Sequence, residues 1–297
     1  MSEVSISGQP VILFAEECDR GVLREENQDS VLHVHIPLGD LLIVADGIGG
    51  YAGGATASRM VVEGFYEHLA SLPPDYPVDN AIREAAARSN AKILAAANAP
   101  ASPHARMGST VVLALLQQEA AGTHAWIGHI GDSRAYLVRA GRLQRLTVDH
   151  SAVQNLLSRN LITPEEAEHH PDASVLTRSL GHQPEVEIDI EQLPLAIGDT
   201  LLLCSDGLWG FVPERDIHRV AEALDLTVEA AAHNLLELAL AAGGHDNIGI
   251  EMARLIPPPD VPPPRAENYL ALKIVMTMLL LAVAAVCVLA YLTFWYY

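Results

Sequence analysis

Four aspartates at the ends or starts of strand patterns carry the chemistry this sequence could do. Leu41 to Ala45 is long enough for a buried strand and stops at Asp46-Gly47. Thr200 to Ser205 repeats the pattern and ends in Asp206-Gly207. Asp132 follows Gly131 at the end of another strand pattern, and Asp246 follows a Gly243-Gly244 turn. A carboxylate at the end of a buried strand is costly to desolvate unless a positive group meets it. Asp46 or Asp206 alone reads equally well as a turn residue, and Asp132 alone reads as one. Together they make an all-oxygen set, with no Cys or His at matching positions. Hard oxygen donors favour magnesium or manganese over zinc. Two such ions sharing a carboxylate can hold a bridging water, lower its pKa and aim it at an electrophile. Arg24 is the natural companion, because a guanidinium fork binds phosphate oxygens in bidentate fashion. Dication, water and arginine point to phosphoryl transfer to water.

Strands must bring these residues to one rim. The pattern predicts strands at Val11 to Glu17, Val31 to Ile36 and Leu41 to Ala45, with hairpin spacing that argues for antiparallel pairing. Ala57, Val61, Phe65 and Leu69 recur at helical spacing before Pro73-Pro74, and a second helix covers Val78 to Ala97. The turn GIGGYAGG lacks the Lys and Ser/Thr of a nucleotide P-loop. Strands follow at Ser109 to Gln117, Thr123 to Ile130 and Ala135 to Arg139, then at Val186 to Ile190, Thr200 to Ser205 and Asn247 to Leu255. Helices are expected near Pro213 to Leu224 and Thr227 to Ala242. Between Thr147 and Glu185 the alternation lapses into a flap-like segment, with helix starts at Asp149-His150-Ser151 and at Thr163-Pro164. Its His150, His169, His170 and His182 read as surface or capping histidines rather than ligands.

The bulk numbers narrow the partners. Across 297 residues, Lys+Arg 18 against Asp+Glu 37 gives a net charge of -19. No basic patch is available for nucleic acid. Cys18, Cys204 and Cys287 are far apart and in no metal-ligand spacing, so they read as thiols in a reducing compartment. No secretory signal is visible at the N-terminus. From Ile274 to Tyr297 the chain has no charge and ends in an aromatic cluster, which predicts a transmembrane helix. Arg265 and Lys273 precede it and place the N-terminal domain on the cytoplasmic side of the inner membrane. The expected organisation is a catalytic domain over 1–255, a Pro-rich linker and juxtamembrane segment over 256–273, and a single span over 274–297. PPPDVPPP in the linker favours an extended, semi-rigid stalk.

The ordered blocks DRGVLREENQD (Asp19 to Asp29), ADGIGG (Ala45 to Gly50), GST (Gly108 to Thr110), GDSR (Gly131 to Arg134), LTRSLG (Leu176 to Gly181), SDGLW (Ser205 to Trp209) and GGHDNI (Gly243 to Ile248) carry a resemblance. Over about residues 10 to 255 the chain resembles the bacterial branch of the metal-dependent Ser/Thr protein phosphatases of type 2C. The resemblance implies an α+β fold of two stacked antiparallel sheets flanked by helices. It implies Asp46 as the carboxylate bridging two Mn2+ or Mg2+ ions, and Gly47 as a carbonyl ligand. Asp206 and Asp246 would complete the other ion's ligands, Asp132 would serve a third and weaker ion, and Asp29 would support the metal-bound waters. Arg24 would bind the substrate phosphate. The implied activity is hydrolysis of phosphoserine and phosphothreonine in proteins, opposing a bacterial Ser/Thr kinase. Two positions depart from the family: Ile48 stands where many members have a histidine, and Gln28 where many have a glutamate. They leave open a non-catalytic scaffold that binds phosphoproteins.

Overall fold

The computed structural model describes residues 9–99, 107–168 and 170–259. The span expected over 274–297, nearly all of the linker, His169 and Cys287 lie outside the described residues. Among the described residues no helix is long and apolar enough to cross a membrane. Gln9–Ile256 forms one compact unit.

Among its described residues, eleven strands build two antiparallel sheets. One sheet has the order β1-β11-β10-β7-β8, from Val11–Asp19, Ile248–Ile256, Thr200–Cys204, Arg134–Arg139 and Arg142–Arg145. The other has the order β2-β3-β5-β6-β9, from Asp29–Ile36, Gly39–Ile48, Val111–Glu119, Gly122–Ile130 and Asp189–Leu195. The short β4 (Gly108–Ser109) pairs with the end of β3.

Alternation along each strand explains the layers, because successive side chains face opposite sides of a sheet. In β3, Leu41, Ile43 and Ala45 join the core formed with helices α1 (Gly50–Ala70) and α2 (Val78–Ala97). Leu42 and Val44 face the other way and pack between the sheets against Leu201, Leu203 and Ala253. The outer face of the first sheet, including Leu202, Cys204, Ile250 and Met252, packs on α6 (Glu214–Glu222) and α7 (Val228–Ala241). The result is a helix–sheet–sheet–helix sandwich, as expected.

Several boundaries differ from the sequence expectation. Strand β3 does not stop at Ala45 but runs through Asp46-Gly47 to Ile48, held by Asp29 opposite Asp46 and by β4 opposite Gly47 and Ile48. The strand expected at Val186 to Ile190 begins only at Asp189 and extends to Leu195. Val186 and Ile188 instead pack into the α1–α2 core. Pro194 is tolerated because β9 is an edge strand. Asp206 does not sit in a turn: it opens the short helix α5 (Asp206–Trp209). In the flap segment, Ser151 caps α3 (Ala152–Ser158), and Thr163 and Glu166 form a reciprocal capping box on α4 (Pro164–Glu168).

One residue between the sheets sets a pH dependence. Glu251 on β11 is fully buried opposite Glu16, and neither of its carboxyl oxygens has a hydrogen bond of ordinary geometry. Burial, and then the Glu16 carboxylate, push its pKa from 4.5 up to about 9. The folded protein therefore keeps a proton that the unfolded chain releases, so stability present at low pH is lost as pH rises from about 4.5 through 9. Glu251→Gln removes that loss. We expect the variant to melt about 4 °C above wild type at pH 8 and level with it at pH 4.5. Parallel melting curves at both pH values check this.

Candidate metal centre

The strand ends, helix start and turns that carry the aspartates gather at one end of the sandwich. Strands β3, β6 and β10 end there and β2, β7 and β11 begin there, because their pairing is antiparallel. Asp46 continues the face of Leu42 and Val44, so its side chain enters the gap between the sheets with that of Asp29 opposite it. From the facing sheet, Ser205 Oγ donates to Asp29 Oδ2 at 2.6 Å and accepts from the amide of Gly249 at 2.9 Å.

The backbone of Asp46 is clamped. Its N–H donates to Thr110 Oγ1 at 3.0 Å, and its carbonyl accepts from Thr110 N–H at 2.8 Å and Ser109 Oγ at 2.9 Å. Thr110 Oγ1 also shares a 2.7 Å hydrogen bond with Ser133, the residue after Asp132. The flap segment joins here too, through reciprocal hydrogen bonds between Ser109 and Leu180. Gly47 has no room for a side chain, since a Cβ would strike the carbonyl oxygen of Gly54.

Asp246 is held from the other side. Arg24 Nη2 donates to Asp246 Oδ2 at 2.6 Å. Asn247 fastens the loop that carries Arg24: its Nδ2 donates to the carbonyls of Arg20 (2.8 Å) and Glu26 (3.0 Å), and its Oδ1 accepts from Gln28 N–H (2.9 Å). Gly21, at φ +73°, turns that loop under Asp246 where an L side chain would be strained.

Charge is the main property of this end. Desolvation raises the Asp46 carboxyl well above its usual range, and Asp206, Asp29, Asp132 and Asp246 raise it further. Asp206 is raised by desolvation and then by Asp132, Asp246 and Asp29, with Arg24 only partly offsetting them. Desolvation pushes Asp29 up to about 7 despite the Ser205 hydrogen bond, and pushes Asp132 up to about 6, helped by Asp149. Arg24 loses by its own burial but is held more firmly charged by Asp246. The carboxylates outnumber the arginine that meets them. An array of hard oxygen donors, with Asp46 and Asp206 only half-buried, fits divalent cations arriving from solvent.

All the site residues expected from sequence reach this one end: Arg24, Asp29, Asp46, Gly47, Asp132, Asp206 and Asp246. Asn247, Ser205, Thr110 and Ser133, which hold them, are not marked by the sequence pattern. Their blocks were visible, but buttressing contacts between distant segments leave no local pattern.

A second cluster differs from expectation. His150 is buried rather than at the surface, stacked on His129 at 4.5 Å between ring centroids. His129, His150 and Asp189 offer ligand atoms within 4.8 Å of one another. However, His150 Nδ1 accepts from Gly131 N–H at 3.1 Å, and Arg178 already pairs with Asp189 at 2.6 Å. These contacts give the cluster a structural role, fixing the loop before Asp132.

The protein phosphatase 2C family profile matches residues 24–241, spanning Arg24 to the end of α7. The chain belongs to the protein phosphatase 2C family. Within this family it is similar to the serine/threonine protein phosphatase PstP of Mycobacterium tuberculosis, 39% identical over 250 residues, covering 83% of this chain and 45% of that protein. The chain thus spans less than half the length of that curated relative. The serine/threonine phosphatase stp of Listeria monocytogenes is 34% identical over 237 residues, covering 78% of this chain and 91% of that protein. The catalytic domain of PstP, solved in complex with 2 manganese ions, superposes with a TM-score of 0.70 at 35% identity, over 84% of this chain and 100% of that one. The matched region, residues 24–241, includes Arg24, Asp29, Asp46, Asp132 and Asp206 and ends before Asp246.

Proposed function

We propose that the chain is a protein serine/threonine phosphatase that uses two Mn2+ or Mg2+ ions to hydrolyse phosphoserine and phosphothreonine. The observation that carries this reading is the surplus of desolvated carboxylates converging beside one solvent-reachable arginine. Asp46, the Gly47 carbonyl, Asp206 and Asp246 would hold the two ions, with Asp132 serving a third. When bound, such ions supply a water acidic enough to attack a phosphomonoester near neutral pH.

The chain's own groups do the rest. Asp29, fastened by Ser205, buttresses Asp46 from within. Arg24 binds and orients the substrate phosphate. Its side chain is 52% exposed and its Nη2 is engaged by Asp246, so a phosphate dianion competes with that carboxylate for the guanidinium fork. Ile48, which follows Asp46-Gly47, has no proton to give the leaving alkoxide.

We further propose the domain division 1–255, 256–273 and 274–297, with residues 274–297 spanning the inner membrane once and the catalytic domain in the cytoplasm. The uncharged run, its aromatic end, and Arg265 and Lys273 before it support this. A Ser/Thr kinase is the matching partner, since such a kinase must supply the phosphorylated substrates.

The test is turnover with manganese of phosphothreonine, phosphoserine and phosphotyrosine peptides, alongside Asp206→Asn. Hydrolysis of the first two, lost in the variant, is expected. A folded protein that binds phosphopeptides without releasing phosphate would favour the scaffold reading.

A further inference from the structure

Two exposed apolar side chains precede Arg24 on a pinned backbone, and a third packs against the turn that carries Asp246. Val22 and Leu23, immediately before Arg24, are 62% and 63% exposed. Scattered exposed apolar residues are ordinary; these are held in place. The amides of Val22 and Leu23 both donate to the carbonyl of Gly244, at 2.8 and 3.2 Å. Gly244 adopts φ +54°, and a Cβ there would come within 2.7 Å of Val22 Cγ2. Asn247 fixes the same loop on both sides. On the same turn, His245 packs against Phe211, with ring centroids 5.2 Å apart, and Phe211 is 40% exposed. An apolar rim therefore runs from Val22-Leu23 across Gly244-His245 to Phe211, alongside Arg24 and Asp246.

Resting on the phosphatase reading of the site, we propose that this rim selects substrates. Its occupant is a phosphopeptide with apolar residues next to the phosphorylated one. Reach supports this choice. Leu23 and Val22 lie one and two residues from Arg24, within about 7 Å along the chain. Neighbours of a phosphoresidue lie about 3.8 Å away per peptide unit. A peptide whose phosphate meets Arg24 therefore has flanking residues within reach of the rim. Charge points the same way: Glu25 and Glu26 follow Arg24, and the chain carries a net charge of -19, so acidic flanks are repelled. The pinned backbone means that little order must be imposed on binding.

The experiment uses the full chain with manganese and three substrates: p-nitrophenyl phosphate, a phosphothreonine peptide with Leu and Val flanks, and the same peptide with Glu and Ser flanks. In wild type we expect kcat/KM for the apolar peptide to exceed that for the polar peptide about tenfold. In the double variant Val22→Ser, Leu23→Ser that ratio falls to about 1, mainly through a higher KM for the apolar peptide. p-Nitrophenyl phosphate, which has no flanks, is turned over as in wild type. Phe211→Ser alone lowers the ratio part-way, while Leu224→Ser, an exposed apolar residue between α6 and α7, leaves it unchanged. Equal rates for the two peptides in wild type, or an unchanged ratio in the double variant, would overturn the proposal. Absence of p-nitrophenyl phosphate turnover in wild type would overturn the phosphatase reading itself, and this proposal with it.

Discussion

Asp46→Asn is expected to lower turnover of a phosphothreonine peptide by at least about 1,000-fold while leaving the protein folded. Asp46 stands at the centre of the carboxylate array: desolvation, Asp206, Asp29, Asp132 and Asp246 all act on it. The proposed ions each supply several kcal/mol to the reaction, and each 1.36 kcal/mol is tenfold in rate. The substitution keeps the shape, so the clamp from Thr110 and Ser109 onto the Asp46 backbone survives. It also removes one of several mutually repelling carboxylates, so the metal-free variant should melt no lower than wild type. Loss of turnover with retained melting separates a chemical role from a structural one. Turnover at the wild-type rate would remove Asp46 from the chemistry.

The second large effect concerns stability. Arg134 donates to both oxygens of Asp149, at 3.0 and 2.7 Å, and to the Tyr136 hydroxyl at 3.1 Å. Its guanidinium lies 3.4 Å from the centroid of the Trp209 ring. The Arg134 and Asp149 side chains are only 11% and 8% exposed. Arg134→Ala leaves Asp149 buried without its main partner, and breaking such a pair from one side costs about 3–5 kcal/mol. Urea unfolding should show that loss. Replacing both members, Arg134→Met with Asp149→Leu, should recover most of it, because an apolar pair of similar volume carries no desolvation cost. Equal stability of Arg134→Ala and wild type would show that the pair contributes little.

What could be read from sequence followed the kind of signal each feature leaves. The paired sheets and the helices on their outer faces came from period-2 and helical spacing, which burial enforces locally. Asp46 and Asp206 are visible because apolar runs ending in a carboxylate are costly without a partner, and Arg24 because a guanidinium is the group that binds phosphate beside them. The exact end of β3 is not visible, since the continuation to Ile48 depends on pairing with Asp29 and with β4, far away in the chain. Asp149 reads in sequence as part of a helix start, but its partner Arg134 lies fifteen residues back and Ser151 is the cap. His150 looked like a surface residue in a polar stretch; its burial comes from stacking on His129. Local pattern specifies elements, whereas tertiary contacts decide which polar residues end up inside.

The measurement that bears most directly on the metal centre is calorimetric titration of Mn2+ into metal-stripped full chain. It compares wild type, Asp46→Asn and His129→Gln, so the two candidate ligand sets are tested side by side. Two ions per chain in wild type, retained in His129→Gln and lost or greatly weakened in Asp46→Asn, is the expected result. Undiminished binding in Asp46→Asn, with loss in His129→Gln, would contradict it and move the metal to the histidine cluster.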